Sequence, residues 1–169
     1  VFNGEIYNHA AIREQLQSRG HHYQSLTDSE TILHLYEERG RDFVNDIEGD
    51  FAVAIWDARR EQLVLARDRI GVKPLYFYHR DGRFLFASEI KAILQHPAVP
   101  REIDFESLYH YLTFLTTPAP QTLFSNIHKL PAGHMLVVGR DGSTELIRYW
   151  DALPTAPPMD TTEDDHKTE

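Results

Sequence analysis

Apolar residues recur along this chain at two spacings. In the first forty residues they keep a helical period: Ile12 and Leu16, then Ile32, Leu35 and Tyr36 at i, i+3, i+4. Asn8 suits the N-cap of the first helix and Gly20 its end. Residues 21–26 read as a short extended piece. Thr27-Asp28-Ser29-Glu30 has capping-box spacing from Thr27 to Glu30 and opens a second helix, which ends at Gly40. Ahead of both, Val1-Phe2 reads as the end of a buried strand. From 49 to 90 the pattern shortens into four β-rich runs, 51–56, 62–66, 75–78 and 84–87, predicted to form an antiparallel meander with a hairpin turn at Asp81-Gly82. A short helix from Ser88-Glu89 to Leu94 and another over 105–115 follow. Residues 116–133 read as a proline-containing loop, then a last hairpin, 134–138 and 144–149, turns at Asp141-Gly142. There is no internal repeat. Helices, a meander, a helix and a hairpin predict an α+β domain over 1–152, with 153–169 an acidic, proline-rich linker.

Composition narrows the function classes. At 169 residues, 41% hydrophobic and 11% aromatic, the chain is long and apolar enough to bury a core. A formal charge of -9 with no basic stripe argues against nucleic acid as partner. No apolar run approaches the ~18 residues of a membrane helix, and the start has no signal-peptide pattern. The absence of cysteine excludes disulfides, fits a cytoplasmic setting and leaves no thiol nucleophile in the chain. The ten histidines are scattered, with no HxxxH or HxH pair, and His21-His22 would point to opposite faces of a strand; the expectation is surface or core histidines and no metal site.

Asn3-Gly4 alone reads as a turn. The whole string Val1-Phe-Asn-Gly-Glu-Ile-Tyr-Asn8, however, resembles the oxyanion segment of class II glutamine amidotransferases in the form found in asparagine synthetases. Thr27-Asp28-Ser29-Glu30, Ala66-Arg-Asp-Arg-Ile-Gly-Val-Lys-Pro-Leu-Tyr76, Phe86-Ala-Ser-Glu-Ile-Lys-Ala92, Leu130-Pro-Ala-Gly133 and Arg148-Tyr-Trp150 extend the likeness over nearly all of 1–150.

The resemblance implies the N-terminal-nucleophile αββα sandwich of two antiparallel sheets between helical layers, with the first strands of that sandwich lying before Val1. It implies Asn3 and Gly4 as the oxyanion hole, Glu5 lining the glutamine pocket, and Asp28 pairing with the α-amino group of glutamine. The segment 66–76 is structural in such proteins. Their nucleophile is an N-terminal cysteine activated by its own α-amino group, whose reference pKa is about 7.7–8.0. It forms a glutamyl thioester and releases ammonia. Neither that cysteine nor the arginine segment that holds the glutamine carboxylate occurs here. In asparagine synthetases the ammonia reaches a C-terminal domain in cis that uses ATP and magnesium to amidate aspartate, and the parent is expected to be a homodimer. A chain starting at Val1 instead of Met is expected to be an inactive, excised part of a glutaminase domain with no cofactor of its own. Two alternatives remain open: a related amidotransferase with another acceptor, or a non-catalytic glutamine-binding or dimerisation domain.

Overall fold

The computed structural model describes residues 1–153. The linker expected over 153–169 lies, beyond Leu153, outside them. In chain order the elements are β1 (Phe2–Ile6), α1 (His9–Ser18), α2 (Asp28–Arg39), a 3-10 turn (Gly40–Asn45), β2 (Gly49–Asp57), β3 (Gln62–Arg67), β4 (Tyr76–Arg80), β5 (Arg83–Ala87), α3 (Ile90–Ile93), α4 (Phe105–Phe114), β6 (Ile127–Lys129), β7 (His134–Gly139) and β8 (Thr144–Arg148).

The strands form two antiparallel sheets, one ordered β1-β2-β3-β7-β8 and one β5-β4-β6. The side chains of the larger sheet alternate between two dry faces. Phe51, Val53 and Ile55 of β2, Val64 and Ala66 of β3 and Met135 and Val137 of β7 pack on α1 and α2. Their neighbours Ala52, Ala54, Leu65, Leu136 and Val138 face the smaller sheet, where Phe77, Phe84 and Phe86 meet them. Beyond the smaller sheet, Tyr78 and Ile127 pack with Ile93 and Val99. The layers therefore run α-β-β-α, with three apolar seams. Fully buried residues such as Phe43, Phe51 and Ile32 contribute about 1.5–3 kcal/mol each.

Several expectations change. The runs 51–56 to 84–87 do not form one meander: β2–β3 and β4–β5 are hairpins in different sheets, because each presents a different apolar face. The loop expected over 116–133 contains β6, paired with β4. Asn8 holds the N-cap position of α1, yet its side chain does not cap. Its Nδ2 donates to the Asp46 carbonyl (2.9 Å) and its Oδ1 accepts from Glu48 N–H (3.0 Å), fastening the approach to β2. Nor does Glu30 close a capping box with Thr27. It accepts from Gln24 N–H, Ser25 N–H and the Ser25 hydroxyl at 2.5–2.7 Å. The turns at Asp81-Gly82 and Asp141-Gly142 lie where predicted, with positive φ at Asp81, Gly82 and Gly142. Among the described residues, no helix is long and apolar enough to cross a membrane.

Candidate functional site

β1 runs straight through the opening motif, so Asn3-Gly4 is neither a turn nor the end of a strand. Among the described residues the strand pairs on one side only, with β2, in the register Phe2↔Val53 to Ile6↔Gly49. Gly4 is required by that pairing. Its φ is +150°, and a Cβ there would lie 2.0 Å from the Asp50 carbonyl oxygen. Gly49 matches it from the other strand, where a Cβ would lie 2.2 Å from the Glu5 carbonyl oxygen.

Alternation along the strand sorts the polar groups. Val1 and Ala54 exchange both backbone hydrogen bonds, at 2.8 and 2.9 Å. Hence Asn3 and Glu5 bond inward to β2, while the N–H groups of Gly4 and Ile6 face the free edge. Asp28, at the first turn of α2, accepts the Ile6 N–H through Oδ2 at 3.1 Å. That bond fixes the carboxylate beside the edge, two residues along from the Gly4 N–H. With a rise of about 3.3–3.4 Å per residue, the Gly4 and Ile6 donors are about 6.7 Å apart.

The side chains of Asn3 and Glu5 leave β1 on the face that, farther along the sheet, becomes the seam between the sheets. Both are exposed. Asn3 Nδ2 lies 3.4 Å from the hydroxyl of Ser88, the residue after β5, so the two sheets meet at this amide. Glu5 stands directly across from Asp50. Like charges in that position repel unless a cation or donor joins them. Tyr7 supplies one donor, its hydroxyl bonding Asp50 Oδ2 at 2.8 Å, and that bond raises the phenol's pKa above its usual value. Asn3, Gly4, Glu5 and Asp28 thus cluster about one strand edge. Ser88, Asp50 and Tyr7 join them, and only the strand register could have identified the pairing with Asp50.

The segment after β3 is structural. Asp68, fully buried, accepts Val72 N–H and Lys73 N–H at 2.9 and 3.0 Å, while its own carbonyl accepts Gly71 and Gly133 N–H. Arg67 donates to the carbonyls of Lys73, Leu130 and Gly71 at 2.6–2.8 Å, and its half-buried guanidinium is pushed down by desolvation. These bonds hold the passage from one sheet to the other.

One group of side chains has the make-up of a cation site among the described residues: His21, His34 and Glu37, between the end of α1 and α2. Scattered in the sequence, His21 and His34 meet because the chain folds back between them.

Comparison with known proteins agrees with this picture. The profile of the glutamine amidotransferase domain matches residues 1–150. Asparagine synthetase [glutamine-hydrolyzing] 3 of Bacillus subtilis is 39% identical over 151 residues, covering 89% of this chain and 24% of its own length. Amidase chyE of Penicillium rubens is 34% identical over 151 residues, covering 89% of this chain and 22% of its own. The chain spans about a quarter of the length of the curated relatives it matches. Among solved structures, the glutamine phosphoribosylpyrophosphate amidotransferase of Bacillus subtilis, complexed with ADP and GMP, superposes with a TM-score of 0.61 at 19% identity, over 89% of this chain and 28% of that one. That likeness shows the fold, the αββα sandwich of the N-terminal-nucleophile amidotransferases.

Proposed function

Because the chain belongs to the glutamine amidotransferase domain family, we propose that the free edge of β1 receives glutamine and supplies the electrophilic wall of a glutaminase site. The observation that carries this reading is the order of groups along the edge: an amide side chain and a backbone N–H at Asn3-Gly4, then a carboxylate fixed at Ile6 by Asp28. The side-chain carbonyl of glutamine sits against Gly4 N–H and Asn3 Nδ2, and its α-ammonium against Asp28, with Glu5 along the pocket. As a nucleophile attacks that carbonyl, negative charge grows on its oxygen. On this reading the Gly4 N–H and the Asn3 amide, once turned from Ser88, stabilise it, one such donor contributing about 2.7–4 kcal/mol in acyl transfer.

The attack needs a thiol, and none of the 169 residues is cysteine. The thiol therefore comes from outside this chain, and the chain by itself releases no glutamate. The relatives named as glutamine-hydrolyzing asparagine synthetases support a parent of that kind. For that parent our proposal is that ammonia set free at this site amidates aspartate in a separate synthetase domain with ATP and magnesium, in a cytoplasmic homodimer. The amidase relative supports a second reading of the acceptor, in which the same site feeds another substrate.

Glutamine titrated into 15N-labelled chain tests the site. The amides of Gly4 and Ile6 and the Asn3 side chain are expected to shift, and Asp28→Asn to weaken the response about tenfold, since a charge-assisted contact is lost. Shifts confined to residues away from β1 and Asp28 would sink this reading.

A further inference from the structure

Independently of the glutamine reading, we propose that His21, His34 and Glu37 form a binding site for a divalent transition-metal ion, zinc being the best fit. His34 and Glu37 are one turn apart on α2, and His21 reaches them from the segment after α1. The Nδ1 atoms of His21 and His34 are 3.2 Å apart, so at least one of them carries no proton and offers a lone pair. Glu37 Oε2 lies 3.2 Å from His34 Nδ1 and 3.9 Å from His21 Nδ1. From those three edges, the point equidistant from all three atoms is about 2.0 Å from each, which is the Zn–N and Zn–O bond length. The ring centroids are 5.1 Å apart and the rings meet edge to face, at 68°.

The outer contacts support the same assignment. A metal-bound histidine normally turns its other ring nitrogen to a carboxylate, which fixes the ring and makes it a better ligand. His21 Nε2 lies 3.3 Å from Glu38 Oε2, and His34 Nε2 3.7 Å from Glu30 Oε1. The histidine side chains are only 16% and 19% exposed, whereas Glu37 is 66% exposed. Tyr23 packs against the His34 ring at 4.6 Å, and Arg13 stacks on Tyr23. An ion at that point lies in the plane of the three donors; drawing the 3.9 Å edge in to about 3.3 Å, by rotation of the exposed Glu37, lifts it out of that plane and leaves the fourth tetrahedral position to water. Once bound, the ion clips the segment between α1 and α2 onto α2, the helix that begins with Asp28.

Zn²⁺ titrated into chelator-treated chain, followed calorimetrically and by thermal melting, tests the site. One ion per chain is expected, with a higher Tm on binding and two nitrogen ligands at about 2.0 Å in the X-ray absorption spectrum. His34→Ala should abolish both binding and the Tm rise. Glu37→Gln, at an exposed position that folding tolerates, should weaken binding about tenfold. His22→Ala, the exposed neighbour, should leave it unchanged. Absence of binding by the unsubstituted chain, binding that survives His34→Ala, or equal loss on His22→Ala would each overturn the proposal.

Discussion

A methyl group on Gly4 would meet the Asp50 carbonyl at 2.0 Å and the Phe51 Cα at 2.8 Å, both backbone atoms that cannot rotate away. The glycine is therefore fixed by strand pairing before any chemistry is considered. Gly4→Ala is expected to destabilise the chain by about 2–4 kcal/mol, read by urea unfolding, because β1 must lift from β2 or distort. An unchanged midpoint would show that the pairing is looser than this geometry. Glu30 is held by smaller groups. The Gln24 N–H, then the Ser25 hydroxyl and N–H, keep its carboxyl at about 2, below the ordinary 4.5. A group depressed in the folded state stabilises it above its unfolded pKa, and that stabilisation fades as pH falls from 4.5 toward 2. At pH 7 Glu30→Gln should melt a few degrees lower than the unsubstituted chain, and the gap should close across that acid window. A gap independent of pH would mean the charge is not what matters.

At the scale of elements, the helices, the two marked turns and six of the eight strands were legible because each carries its own local period or turn chemistry. The rest depended on distant partners. The three residues of β6 are too few to show alternation, and they become a strand only because Tyr76, Phe77 and Tyr78 offer a free side. The separation of β2–β3 from β4–β5 was hidden too, since both hairpins look alike in sequence; it is Arg67 and Asp68, bonding backbone across the turn, that turn the chain from one sheet to the other. For the candidate site, the motif named Asn3, Gly4, Glu5 and Asp28, but not Asp50, which depends on register. His21 and His34, thirteen positions apart, show no ligand spacing in sequence; a loop and a helix bring them together.

Across the whole molecule the three apolar seams are closed at their centres and open at the margins. α4 buries only Ser107 among its ten residues, leaving Phe105, Tyr109 and Leu112 exposed along one side and Leu115 just past its end. Val1, Leu33 and Trp56 are also exposed, around the end of the sheet where β1 and β2 begin and end. An apolar stripe of that extent on a lone chain favours association. Light scattering should give a mass that rises with concentration, and Tyr109→Ser combined with Leu112→Ser should bring it down toward the monomer. A chain that stays monomeric at every concentration would show that the stripe is tolerated in water.

The edge of β1 also acts as a ruler. Its outward Gly4 and Ile6 amides are set by the fixed repeat of an extended backbone, so the span between the Gly4 end and the Asp28 end hardly changes with the side chains that decorate it. If the edge receives glutamine as proposed, asparagine, one carbon shorter, would not reach both marks at once. A missing methylene costs about 1–3 kcal/mol where contacts are otherwise matched. Discrimination between the two amides would then come from main-chain spacing, a property that point substitutions along the strand, Gly4 apart, barely alter.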